Sequence, residues 1–177
     1  LLTGSVDFFN RDRFLFTKKI DYMLANENII DIFRKGNPIV HGSVAIRNKT
    51  LIDLNMYNEN LKTSQDYDLF WRIAELGYKS IDSLESTVYK YYYEKNSISE
   101  IKAKDQTLNS IIIREMAKYR EKEISKPYEY FEIKASKIYL KAGNKYKSEQ
   151  LRRKLRVIFA SGDINQCILL SLKNMFT

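Results

Sequence analysis

The chain has one cysteine and one histidine in 177 residues, and these two scarcities exclude several classes of chemistry. A lone thiol, Cys167, allows no internal disulfide framework, and its place in the apolar run from Ile164 to Leu172 suits a buried thiol in a reducing compartment. One cysteine and one histidine also fall short of the usual zinc ligand sets. A serine hydrolase would have to use His41, and no Gly-x-Ser-x-Gly elbow accompanies it. No glycine-rich phosphate loop is present. No apolar run approaches the roughly 20 residues that span a bilayer, and the first residues lack a basic-then-apolar leader. The expectation is a cytoplasmic protein, with scope for peripheral contact at the inner face of a membrane.

What is present is enough apolar material, 44% of residues, for one substantial core or a domain with a small appendage. The net charge of +8 is unevenly spread. Lys145, Lys147, Arg152, Arg153, Lys154 and Arg156 gather near one helix. Such a cluster attracts anionic lipid head groups or an anionic glycolipid, and it equally suits a solvated helix face. Nucleic acid is not an expected partner, because no binding motif accompanies the charge.

Periodicity divides the chain. Leu1 to Phe9 reads as a strand, and Asp12 to Lys35 as two short helices broken near Asn26 to Asn28. Asn37-Pro38 interrupts helical geometry, and Ile39 to Arg47 follows as a strand that sets His41 on the side opposite Val40. Lys49 to Asn55 makes a short helix. Tyr78 to Ile81 and Thr87 to Tyr91 read as short strands around a turn. Tyr89, Tyr91, Tyr92 and Tyr93 can stack on a sugar or base, or pack a sheet. From Glu100 the pattern is helical. One stripe runs from Leu108 to Tyr119, a second from Phe131 to Ala142 and a third from Leu151 to Phe159, and Ile164 to Phe176 closes as a fourth helix. Gly143 and Gly162 lie where helices would end, and the short links favour antiparallel packing.

The stretch from Ser64 to Ile73 puts two acids in the first turn of an amphipathic helix. Ser64 is the expected N-cap, Leu69, Phe70, Ile73 and Ala74 the buried face, and Gly77 the stop. Asp66 there feels the positive end of the helix dipole, which favours the ionised form that a general base requires. Asp68 precedes Arg72 by four residues and can pair with it along the helix surface. Two positions apart, the acids face different ways and are poorly placed to share a metal. Local physics leaves the bland alternative open: Asp66 as a helix-end acid and Asp68 as a pairing partner.

This stretch, Gln65-Asp66-Tyr67-Asp68-Leu69-Phe70-Trp71-Arg72, resembles the Glu-Asp-Tyr-Asp-Leu-x-x-Arg motif of family 2 glycosyltransferases, with Gln65 in place of the usual Glu. Three more segments resemble that family in the same order. Leu1 to Val6 is similar to the strand and Gly-Ser turn after the metal-binding part. Asn37 to Arg47 is similar to the strand lining the acceptor side, including its His, with Met56 to Asn60 as the gate before the base helix. Tyr89 to Ser99 is similar to the loop that closes over the donor diphosphate, with Tyr92 and Glu94 where many members have Arg and His, leaving Lys90 and Lys95 as cations.

The resemblance implies an α/β fold: residues 1–100 as the acceptor-side half of a GT-A catalytic domain, followed by a helical region over 101–177. It implies an inverting transfer of sugar from a nucleotide-diphospho-sugar donor to a hydroxyl of a saccharide or lipid-linked acceptor. Asp66 is then the catalytic base, and His41, Gln65, Asp68, Trp71, Arg72, Lys90 and Lys95 are acceptor- or donor-side binding residues. A divalent metal, Mg or Mn, belongs to the complete enzyme, whose donor-binding half, with the Asp-x-Asp that holds the metal, is not in these residues; the segment by itself is expected to be inactive. The rival expectation is a non-enzymatic basic helical module that binds an anionic membrane surface through Lys145 to Arg156. A degenerate relative that keeps the fold for assembly is a third.

Overall fold

β1 (Leu2–Asn10) opens with the small residues Thr3 to Val6, all buried, and has the aromatic pair Phe8 and Phe9 near its end. The computed structural model describes residues 1–20, 28–77, 81–94, 97, 101–144, 146–148, 151 and 155. Arg11, with φ of 50°, turns the chain back into β2 (Arg13–Lys18), antiparallel to β1. The helix expected to start at Asp12 is thus a strand. Phe14 and Phe16 lie opposite Phe9 and Phe8, with the Phe8 and Phe16 rings stacked 4.7 Å apart. Such cross-strand aromatic pairing outweighs a weak helical period. The second expected helix does form as α1 (Ile29–Lys35), with Asn28 Oδ1 accepting the Ile30 N–H at 2.9 Å and with Ile32 and Phe33 buried.

The strand expected over Ile39 to Arg47 is also absent. A 3₁₀ turn (His41–Ser43) folds the segment instead. Both the amide and the hydroxyl of Ser43 donate to the Val40 carbonyl, and the Ser43 hydroxyl lies 3.0 Å from the Thr3 hydroxyl on β1. Only Ala45 pairs as a strand residue would, in a single bridge to Leu2. Gly42 lets the Tyr89 ring sit against the turn where a Cβ would collide. The chain continues through α2 (Asn48–Asp53) to α3 (Gln65–Ala74), which Gly77 follows at φ of 100°.

β3 (Asp82–Tyr92) is one long strand, parallel to β1, where a pair of short strands was expected; residues 78–80 of that pair lie outside the described set. The described sheet has three strands in the order β2-β1-β3. Gly4 and Ser5, expected at a turn, lie inside β1 where its register with β3 shifts. A Cβ on Gly4 would stand 2.6 Å from Val88 Cγ1 and 3.1 Å from the Ser86 carbonyl oxygen. Gly4→Ala is therefore expected to cost about 1–3 kcal/mol in chemical denaturation, the usual effect of overpacking.

The helical region supplies α4 (Ala103–Arg120) and α5 (Tyr128–Ala142). Ile111, Ile112, Ile113, Phe131 and Ala135 join Phe33, Leu61, Tyr67, Phe70 and Trp71 in one buried cluster. Glu115 binds Lys118 and Lys134, at 2.7 and 2.8 Å, and so ties α4 to α5. The third expected helix is described only at Leu151 and Leu155, both helical; the fourth, with Cys167, lies outside the described residues. Of the basic cluster only Lys147 is described, and it is exposed. Among the described residues no helix is long and apolar enough to cross a membrane.

Candidate active site

Asp66 occupies the first turn of α3, but Ser64 does not cap it as expected. Ser64 adopts a left-handed conformation, φ 62° and ψ 23°, and makes no side-chain cap bond. Its carbonyl instead accepts the Tyr67 amide at 3.1 Å. A non-glycine residue there costs roughly 1–2 kcal/mol and persists only where neighbours over-determine it. Here the neighbour is Asn109 of α4, whose buried amide donates to the Thr63 carbonyl at 2.9 Å and to its hydroxyl at 2.8 Å. The helical region thereby holds the turn that launches the site.

The Asp66 carboxylate accepts from Asn37 Nδ2 at 3.0 Å. The orientation of that amide is dictated locally: Asn37 Oδ1 accepts the Ile39 N–H at 3.1 Å, so the NH2 group must point at Asp66. Burial pushes the Asp66 carboxyl above the usual carboxylate range. The Tyr67 and Asp66 backbone N–H groups, His41 and Asn37 pull the other way without prevailing. The helix terminus thus acts in the expected direction, yet desolvation is the larger effect. The result is a carboxylate readier to take a proton than an exposed one.

His41 reaches this site from the 3₁₀ turn rather than from a strand. Its Nε2 and the Tyr57 hydroxyl share a hydrogen bond at 2.9 Å, and its ring meets the edge of Phe70. The Tyr57 hydroxyl is raised above its ordinary pKa by burial and by the Asp66 charge. Asp66, His41, Tyr57 and Asn37 therefore converge. Asn37 and Tyr57 were not among the residues singled out from sequence. Asn37 marked only a break and Tyr57 only the gate, and no short-range pattern links either to an acid beyond the next element.

The other named residues have different surroundings. Gln65 is half-buried beside Asp66. Asp68 is 1% exposed, not at the surface, and accepts from Arg72 Nε at 2.9 Å with Arg120 Nη1 at 3.6 Å. Arg72 also donates from Nη1 to the Leu54 carbonyl and from Nη2 to the Met56 carbonyl, the latter at 2.8 Å. Trp71 packs in the core, its ring 6.0 Å from Phe33 and 5.6 Å from Tyr67. Lys90 is exposed on β3 with its ammonium 5.7 Å from the centre of the Phe9 ring. Lys95 lies outside the described residues. Tyr91 packs against Phe8 and Tyr92 against Phe9, so both help build the sheet.

Among the described residues no three His, Cys, Asp or Glu side chains converge as metal ligands. Asp66 faces an amide and Asp68 two guanidinium groups, so this pair does not fit a divalent ion. Compared with protein-family models, curated proteins and solved structures, the chain matches none.

Proposed function

We propose that this chain is the acceptor-side part of an inverting, family 2-type glycosyltransferase of GT-A architecture, followed by a helical region. Its substrates are a nucleotide-diphospho-sugar and a hydroxyl-bearing saccharide or lipid-linked acceptor. Asp66 takes the proton from the acceptor hydroxyl while that oxygen bonds to the anomeric carbon. The bond from that carbon to the diphosphate oxygen breaks, and the nucleoside diphosphate leaves with the electron pair. The observation that carries this reading is the state of Asp66. Among the described residues its carboxylate has a neutral amide partner and no ion pair, and burial raises its basicity. Asp68, two residues on, has two cations beside it.

The test is an assay of the complete protein with nucleotide sugars, with the product read by NMR. A single displacement gives a product of inverted anomeric configuration, and retention would overturn the reading. The pH profile is a second check. Transfer requires ionised Asp66, so the rate is expected to fall as pH drops through the raised pKa of that group. This acid limb lies above the ordinary carboxylate range, at higher pH than an exposed aspartate would set.

A further inference from the structure

Arg72 pairs with Asp68 as their spacing predicts, and it also reaches two backbone carbonyls. Each arm of its guanidinium is engaged: Nε on the buried Asp68, Nη1 on the Leu54 carbonyl and Nη2 on the Met56 carbonyl. The two carbonyls flank an unusual piece of backbone. After α2, Asn55 and Met56 are both left-handed, at φ of 56° and 58°. Met56 N–H returns to the Leu51 carbonyl at 2.8 Å and Asn55 N–H to the Ile52 carbonyl at 3.0 Å, the hydrogen-bond pair of a Schellman helix end. Such an end normally has one left-handed residue, commonly glycine. Here two consecutive non-glycine residues hold that conformation, and the next residue is Tyr57, whose hydroxyl bonds His41 beside Asp66.

We infer that Arg72 is a positioning residue: anchored on Asp68, it clamps the Leu54–Met56 turn and thereby sets the Tyr57 hydroxyl against His41 at the rim of the Asp66 site. It touches no substrate. The chemistry of the clamp explains the residue type, since a planar fork can serve a carboxylate and two carbonyls at once, whereas an ammonium of lysine cannot hold that geometry. The inference rests on the reading of Asp66 as the base, but its structural half can be tested without sugar transfer.

His41 is the only histidine in the chain, so its ring nitrogens give unambiguous NMR signals. The experiment compares the 15N shifts of His41 in the full chain, in Tyr57→Phe, in Arg72→Lys and in the double variant. Loss of the clamp is expected to move the Nε2 resonance in Arg72→Lys toward its position in Tyr57→Phe, and the double variant adds no further shift. An Nε2 resonance unchanged in Arg72→Lys, alongside a lowered melting temperature, would make Arg72 a stabilising residue only and overturn the proposal. Should Arg72→Lys fail to fold, Asn55→Gly supplies a background that relieves the same left-handed turn. Failure to fold there as well would assign Arg72 to the fold itself and also overturn the proposal. In the complete enzyme, Arg72→Lys is expected to lower kcat on the order of 10- to 100-fold with donor binding unchanged, as a misplaced site does. If transfer proves independent of Asp66 while the His41 coupling holds, the functional reading fails and the clamp survives.

Discussion

Asp66→Asn is expected to abolish measurable transfer by the complete enzyme, to leave nucleotide-sugar binding in place, and to raise the melting temperature at neutral pH. The loss follows from the proposed role: a positioned general base contributes roughly 10²- to 10⁴-fold to rate, and an amide cannot accept the proton. Undiminished turnover would remove Asp66 from that role. The gain in stability follows from the direction of its pKa shift. Burial raises the native pKa above the unfolded value, so between the two values the native state binds more protons than the unfolded state. Stability therefore falls as pH rises through that window, and above it the ionised carboxylate opposes folding. The substitution removes the buried charge, while the oxygen of the new amide can still accept from Asn37 Nδ2, the existing partner. Thermal melts should show the variant's advantage at pH 7 and should show it shrinking below the ordinary carboxylate pKa, where Asp66 is neutral in both states. A lower melting temperature at pH 7 would mean that the Asn37 and backbone hydrogen bonds outweigh desolvation. The proposed base is thus a residue that the fold tolerates at a cost, as strained and desolvated functional groups generally are.

How much of this was legible before the structure depends on the range of the interaction. α3 could be read because its determinants are local: the apolar spacing of Leu69, Phe70, Ile73 and Ala74, an acid four residues ahead of an arginine, and a glycine at the end. The first strand and α2, α4 and α5 were legible for the same reason. β2 was not, because Phe14 and Phe16 become strand residues only when Phe8 and Phe9 are there to pair with them. The segment from Ile39 to Arg47 looked like a strand from its alternation, yet Ser43 folds it back on Val40 and leaves one bridge. The candidate site shows the same division. Asp66 was visible as a first-turn acid and His41 as a lone histidine, but Asn37 lies 29 residues from Asp66, and Tyr57 lies 16 residues from the histidine it binds. The direction of the Asp66 shift was also hidden. Dipole and backbone N–H groups are set by helix position, whereas desolvation depends on what the rest of the chain packs around the carboxylate.

Asp68→Ala is expected to destabilise the fold by about 3–5 kcal/mol, the usual consequence of removing one partner from a buried ion pair. Asp68 is 1% exposed and the Arg72 side chain 15%, so the guanidinium left behind would be largely buried with its carbonyl partners but without its counter-charge. For a chain of this size such a loss lowers the melting temperature by roughly 2–4 °C per kcal/mol. Asp68→Asn is expected to cost less. An amide oxygen can still accept from Arg72 Nε, and Asp68 Oδ1 makes no hydrogen bond, only a 3.6 Å approach to Arg120. The control is Asp53→Ala, which breaks an equally spaced helical pair with Lys49, whose side chain is 85% exposed. That change should stay within about 0.5 kcal/mol, as exposed pairs do. Equal losses in Asp68→Ala and Asp53→Ala would show that burial adds nothing to the Asp68 pair. The double variant Asp68→Ala, Arg72→Ala separates the two sources of the cost. If much of the single-variant loss is the stranded guanidinium, removing it as well brings the total below the sum of the two singles. Simple additivity would instead mean that Arg72 is held by the Leu54 and Met56 carbonyls independently of Asp68, and the carboxylate would then not be the anchor of the clamp.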